Sequence, residues 1–165
     1  MLLAASGFTL AQAGLIVVIY PVFWGVFQIA TGKLSDFTGR KQMLVAGMVV
    51  QGLSLILFTL LTEFYQFVIV ASLLGIGTAM VYPTFLTAVA DLVHPDDRAE
   101  SIGAFRLWRD SGYAFGAIFA GIVADMIDLS AAISITGIIA VGSAIYIALR
   151  MNALNKPVSK RFLSS

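Results

Sequence analysis

Gly32-Lys33-Leu34-Ser35-Asp36-Phe37-Thr38-Gly39-Arg40-Lys41 is a short charged stretch between two long uncharged ones. No Asp, Glu, Lys, Arg or His occurs from Met1 to Gly32, and none from Gln42 to Thr62. A membrane-spanning helix needs about 20 mostly apolar residues, so each flank is long enough to span. The stretch itself has the chemistry of a turn at a membrane surface. Gly39 takes positive φ without steric cost and permits a sharp reversal. Gly32 has no side chain and would let a neighbouring helix come close. Asp36 and Arg40, four positions apart, are within pairing reach. Arg40 and Lys41 favour the cytoplasmic side.

The same pattern continues along the chain. Phe64 to Ala90 is a third uncharged run, and Leu129 to Leu149 is another. Between them Ser111 to Ala124 is uncharged, with Arg106, Arg109 and Asp110 just before it. Leu44 to Val50 and Ile138 to Ile147 do not alternate apolar with polar residues, as the strands of a membrane barrel would. Long continuous apolar runs favour helices. The expectation is an all-α integral membrane protein with five transmembrane helices, over 10–34, 42–62, 65–90, 100–126 and 130–151. Residues 152–165 form a polar tail.

Composition agrees. The chain is 59% hydrophobic and only 12% charged, with a mean hydropathy of +0.95. A soluble domain carries about 25% charged residues, and half of that cannot cover a globule of 165 residues. A lipid solvent removes the difficulty. The formal net charge of +1 points to no nucleic acid or acidic partner. The absence of cysteine excludes disulfides, thiolate metal sites and thiol chemistry. Around Ala11-Gln12-Ala13 there is a faint likeness to a signal peptide, but the basic n-region is missing.

The basic residues set the orientation. Lys33, Arg40 and Lys41 fall between helices one and two. Arg98, Arg106 and Arg109 fall between helices three and four or at the start of four, and Arg150, Lys156, Lys160 and Arg161 follow helix five. All ten Lys and Arg therefore share one side of a five-helix chain. The other side has only Glu63, Asp125 and Asp128. The basic side is expected to be cytoplasmic, with the C-terminus inside and the N-terminus outside. Nothing basic guides the N-terminus outward, so one or more helices are expected to precede Met1 in a longer parent.

The opening stretch resembles the signature loop of the major facilitator superfamily: Gly, three residues, Asp, two residues, Gly-Arg-Lys/Arg. Gly32, Asp36, Gly39, Arg40 and Lys41 all match. The resemblance implies a secondary transporter that moves a small solute by alternating access, in a membrane such as the bacterial inner membrane. It implies that Asp36 and Arg40 pair with an acid at the cytoplasmic end of a later helix, matched here by Asp91. Together these residues would form a conformational gate. The bare alternative is a basic turn that only sets topology. Ala71-Ser72-Leu73-Leu74-Gly75-Ile76-Gly77-Thr78-Ala79 lacks the Arg often found in the family's N-terminal half. Phe105-Arg106-Leu107-Trp108-Arg109-Asp110-Ser111-Gly112-Tyr113-Ala114 resembles the start of the eleventh helix in one bacterial group. The chain thus looks like helices eight to twelve of the C-terminal half, with the N-terminal half as its missing partner.

Further positions follow. Small residues recur every four positions at Gly112, Gly116, Ala120 and Ala124, and again at Ala71, Gly75 and Ala79. Such faces allow close helix packing in lipid. Pro21 and Pro83 interrupt helices one and three, each freeing a carbonyl; the bend could be static or could move between states. Tyr20, Trp24 and Gln28 form a polar stripe on helix one, and Thr78 with Tyr82 another on helix three. The resemblance makes them candidates for contacts with an unknown small-molecule substrate; interhelical hydrogen bonding is the competing reading. Arg106, Arg109 and Asp110 are expected to form an ion cluster at the cytoplasmic end of helix four.

Catalysis finds no support. The single histidine, His94, sits in the turn His94-Pro95-Asp96-Asp97. There is no His-Glu-x-x-His, Gly-x-Ser-x-Gly or phosphate loop, and no metal or cofactor is implied. The reading is a piece of a transporter in the lipid bilayer. The alternative from a different class is a non-transporting membrane scaffold or an inert truncated fragment.

Overall fold

A computed structural model describes residues 7–151; the tail expected at 152–165 lies outside the described residues. Five α-helices follow one another: α1 (Leu10–Thr38), α2 (Arg40–Phe58), α3 (Phe64–Leu92), α4 (Arg98–Met126) and α5 (Leu129–Arg150). A 3-10 turn, Pro95–Asp97, precedes α4. No strand occurs among the described residues. The protein is an all-α membrane protein. α1, α2, α3 and α5 are long and apolar enough to cross a membrane. α4 has the length, 29 residues, but Arg98, Glu100, Arg106, Arg109 and Asp110 occupy its first half.

The helix starts are set by local chemistry. Thr9 and Gln12 form a reciprocal capping box at α1, and Glu63 with Gln66 does so at α3. Asp128 accepts the Ala131 N–H at 2.6 Å to begin α5. Such caps satisfy N–H groups that the first helical turn leaves open.

The first connection is much tighter than a ten-residue loop. α1 continues through Lys33, Ser35, Asp36 and Thr38, and only Gly39 stands between it and α2. Gly39 has φ 94° and ψ 139°, a backbone region closed to most side chains. Its N–H donates to Ser35 O at 3.1 Å, and its own carbonyl accepts from the Met43 N–H at 3.2 Å. At about 1.5 Å per residue α1 and α3 each reach about 43 Å, beyond the roughly 30 Å hydrocarbon core. The charged ends of both helices therefore belong to the overhang.

Packing does not follow chain order. α3 lies between α1 and α2, α2 continues to α5, and α5 to α4; α4 touches α3 only lightly. Glycines set the close approaches. A Cβ on Gly52 would lie 2.6 Å from Gly137 O, and one on Gly137 would lie 2.7 Å from Gly52 O, so α2 and α5 meet backbone to backbone. Gly47 and Gly77 do the same for α2 and α3. Gly75 sits against Tyr20 O and the Phe23 Cβ of α1, flanked by buried Ala71 and Ala79. In lipid, where apolar transfer drives little association, such contacts hold helices together. At one end of α1 and α3 an aromatic cluster joins them: Phe67 is fully buried, with Phe8 and Phe58 edge-on to it at 5.4 and 4.9 Å.

Two expectations about small residues fail within this chain. A Cβ on Gly112 or Gly116 of α4 would meet nothing within 4 Å, and no residue of α4 is buried. Gly112 and Gly116 therefore meet no other helix of this chain, while Ala120 and Ala124 of the same stripe are partly buried. Gly32 likewise has open space around it; its carbonyl accepts the Ser35 hydroxyl at 2.9 Å instead. Both prolines stay inside continuous helices. Pro83 cannot bond to the Ala79 carbonyl one turn back, and the Thr31 hydroxyl of α1 donates to that carbonyl at 2.7 Å in a buried position. The freed acceptor has become a tie between α1 and α3.

Candidate functional site

Two groups of polar side chains stand out, one at the helix ends and one at mid-depth. At the ends, Arg40 opens α2 directly after the Gly39 reversal, which aims its side chain back across α1 toward α3. Its Nε donates to Asp91 Oδ2 at 2.5 Å. Its Nη1 lies 3.3 Å from Asp36 Oδ1 and donates to the Thr87 hydroxyl at 2.8 Å and the Ser35 hydroxyl at 3.1 Å. The Arg40 side chain is 18% exposed, against 62% for Asp36 and 42% for Asp91. One half-buried cation is thus held between two half-hydrated carboxylates and two hydroxyls, on three helices. Lys41 sits half-buried in the next position.

Ser35 and Thr87 were not among the sequence candidates. The signal for Thr87 was present, since it precedes Asp91 by one turn and shares its face of α3. Ser35 is 1% exposed, and nothing in the sequence marks it apart from other helical serines.

At mid-depth the structure brings together residues from α1, α3 and α4. Tyr20 and Trp24 stack with ring centroids 6.2 Å apart. Trp24 meets Tyr82 edge-on, also at 6.2 Å. The Arg109 guanidinium carbon lies 5.1 Å from the centre of the Tyr82 ring. Thr78 is drawn elsewhere: its hydroxyl accepts from Gln51 Nε2 of α2 at 2.7 Å and donates to Leu74 O. Gln28 is exposed, one turn beyond Trp24 on α1, and does not join the ring series.

The expected cluster of Arg106, Arg109 and Asp110 is not assembled as such. Arg109 pairs with Asp110, Nε at 2.8 Å and Nη2 at 2.7 Å, both to Oδ1. Arg106 is exposed and forms no ion pair with a described residue. Residues 106 and 109, three positions apart, share one side of α4, but Arg109 is engaged by Asp110 and by the Tyr82 ring rather than by a common cluster. His94 caps the 3-10 turn and lies 3.2 Å from the Asp96 carboxylate. Among the described residues no group of three or more His, Asp or Glu side chains could hold a metal ion.

Comparison with known proteins now places the chain. The profile of the Major Facilitator Superfamily matches residues 1–164. The inner membrane transport protein YnfM of Escherichia coli is 25% identical over 139 residues, covering 84% of this chain and 33% of that protein. The MFS-type transporter MJ1560 of Methanocaldococcus jannaschii is 29% identical over 156 residues, 93% of this chain and 40% of its own length. A second transporter from that organism, MJ1317, is 32% identical over 88 residues, 53% of this chain and 22% of that protein. The chain therefore spans between about a fifth and two fifths of these relatives. No solved structure matches it. With the family profile running over nearly every residue, and with membrane-length helices joined at a Gly-Arg turn, the chain belongs to the Major Facilitator Superfamily.

Proposed function

We propose that the chain forms one wall and one cytoplasmic gate of a secondary transporter that moves a small solute by alternating access. The single observation that carries this reading is the Arg40 clasp. One guanidinium joins the end of α1, the start of α2 and the end of α3 through Asp36, Ser35, Thr87 and Asp91. A linkage of this kind converts the Gly39 turn into a rigid corner that a second group of helices can press against and release. In the proposed mechanism Gly32, Asp36, Gly39, Arg40, Lys41 and Asp91 form the gate. Tyr20, Trp24 and Tyr82 face the solute path, and Gln28 lies along its approach. No bond is made or broken in the solute.

The proposed partner is the N-terminal half of the transporter, with this chain supplying helices eight to twelve. Coverage of at most 40% of the relatives' length supports a role as part of a larger helical assembly. So does the unburied surface of α4, which in lipid alone would expose Arg109 and Asp110 to hydrocarbon. The proposed setting is a bacterial inner membrane, with the Arg40 end cytoplasmic and the start of α1 outside.

The test is transport together with accessibility. The protein contains no cysteine, so single cysteines can be placed on either side without background. Asp36→Asn in the assembled transporter should leave its level in the membrane unchanged, slow uptake and increase labelling from the cytoplasmic side. Normal uptake with unchanged labelling would reduce the stretch to a topology signal.

A further inference from the structure

α3 is held to its neighbours in two different ways, and the change falls at Pro83. Before Pro83 the contacts are steric and close. A Cβ on Gly75 would lie 2.6 Å from Tyr20 O of α1, and one on Gly77 would lie 3.0 Å from Gly47 O of α2. Phe67, Ala71 and Ala79 are buried along the same part of the helix. After Pro83, residues 84–92 contain no glycine, and the Arg40 guanidinium ties them to α2 through Thr87 and Asp91. The helix itself is weakest where the two regimes meet. Pro83 has no N–H and leaves the backbone ladder one bond short. The Thr84 hydroxyl donates to Met80 O at 2.6 Å, a back-bond of the kind that loosens and bends helices.

The carbonyl that Pro83 leaves open is taken by Thr31, and this is an unusual use of a helical threonine. Thr38, Thr78, Thr84, Thr87 and Thr136 each donate to a carbonyl of their own helix, the ordinary choice for a threonine in a helix. Among the described helical threonines Thr31 alone donates to another helix, to Ala79 O at 2.7 Å, and it is 5% exposed. Ser35 lies one turn further along the same face of α1. It is buried and accepts from Arg40 Nη1 at 3.1 Å. α1 therefore grips α3 directly just before Pro83, and through Arg40 just after it. The first grip is a buried bond between neutral groups. The second is the clasp, whose two carboxylates are partly exposed. Loosening the clasp frees only the part of α3 that follows Pro83.

We propose that Thr31 is a positioning residue of the gate. By tying Ala79 to α1 it fixes a pivot, and release of Arg40 swings residues 84–92 about Pro83 while the earlier part of α3 stays in place. The inference rests on the reading of the Arg40 clasp as a gate, and it adds which part of the chain moves. The Thr31 bond persists in both states, so it sets where the helix bends and not how often. An arm of nine residues is about 13 Å long, so a change of bend of about 20° carries its tip roughly 5 Å. Thr87 and Asp91 both lie on this arm and leave Arg40 together.

Distances between paired spin labels test it. This chain has no cysteine, so label pairs can be placed on it in the assembled transporter, with any cysteine of the remaining part replaced. Labels at the exposed residues Leu34 and Leu92 report the arm, and labels at the exposed residues Val18 and Leu73 report α1 and α3 before Pro83. Asp91→Asn, which loosens the clasp, should add a population displaced by about 5 Å at the first pair and leave the second within about 1 Å. Pro83→Ala restores the missing N–H and stiffens the joint, so in the Asp91→Asn background it should remove most of that displacement. Thr31→Val in the same background should let the displacement spread to the second pair, and Thr31→Ser, which keeps the donor, should confine it again. Equal displacement at both pairs in Asp91→Asn overturns the proposal, because α3 would then move as a rigid rod. So does no displacement at either pair, undiminished displacement with Pro83→Ala, or a second pair that stays fixed with Thr31→Val. If Thr31→Val does not fold, Thr31→Ala, which also lacks the donor, takes its place. An arm that bends in a protein that moves no solute would sink the transport reading alone, whereas solute movement with a rigid α3 would sink this inference alone.

Discussion

The clasp predicts an order of effects that a simple reading of the motif does not. Asp91 holds Arg40 at 2.5 Å with 42% of its side chain exposed, while Asp36 stands at 3.3 Å with 62% exposed. Hydrogen bonds between ionised groups are worth about 1.5–3 kcal/mol when protected from water, and exposed ion pairs about 1 kcal/mol or less. The Asp91 contact lies between these limits and, discounted for its hydration, contributes about 1–2 kcal/mol. The Asp36 contact belongs at the lower limit. If the clasp forms in the state closed to the cytoplasm and opens in the other, Asp91→Asn shifts their ratio by about five- to thirtyfold. Asp36→Asn shifts it about fivefold or less. Thr87 and Ser35 still hold Arg40 in both variants, so neither should unfold the protein. Single cysteines near the two ends of the solute path, labelled from each side, would read the shift. Asp91→Asn should raise cytoplasmic labelling more than Asp36→Asn, and Thr87→Val should fall near or below Asp36→Asn. A larger effect from Asp36→Asn would refute the argument, because hydration and distance would then not govern the clasp.

Other outcomes follow from the same contacts. Gly52→Ala places a methyl group 2.6 Å from Gly137 O and 2.6 Å from Val141 Cγ2, so thermal unfolding should show a loss of about 1–3 kcal/mol; Gly142→Ala, with open space around it, should be neutral in the same assay. Thr31→Val removes the donor to the Ala79 carbonyl and should cost about 1–3 kcal/mol, the penalty of a buried acceptor left unpaired. Pro83→Ala restores an N–H to that carbonyl, so the double variant should be less destabilised than Thr31→Val alone; strict additivity would show that the Thr31 bond does not satisfy the proline's acceptor. A reporter placed beside Glu63 should be external and one fused at the C-terminus cytoplasmic, and finding both on one side would remove the proposed orientation.

The amino-acid sequence by itself determined the solvent and the class. Apolar runs of helical length leave only helices as a way to satisfy the backbone in lipid, and charge placement divides the chain into five. The Gly-x-x-x-Asp-x-x-Gly-Arg-Lys spacing named the family before any contact was visible. Asp36 and Arg40 were legible as a pair from their four-residue spacing, although α1 ends at Thr38 and it is the Gly39 reversal that leaves Arg40, at the start of α2, beside Asp36. What the sequence left open was everything that depends on how helices rotate about their axes. Gly112 and Gly116 read as a packing face as plainly as Gly75 does, yet only Gly75 meets a neighbour, and Gly47, Gly52 and Gly137 make comparably tight approaches that the spacing did not mark. An apolar helix in lipid is hydrophobic all round, so its sequence has no strong moment to say which side is inside. Arg109 shows the same gap. Arg106, Arg109 and Asp110 read as one cluster, and only the packing of α4 beside α3 set Arg109 over Tyr82. Interhelical contacts in a membrane are chosen by steric fit and by single hydrogen bonds, and those are properties of pairs of helices rather than of any one segment.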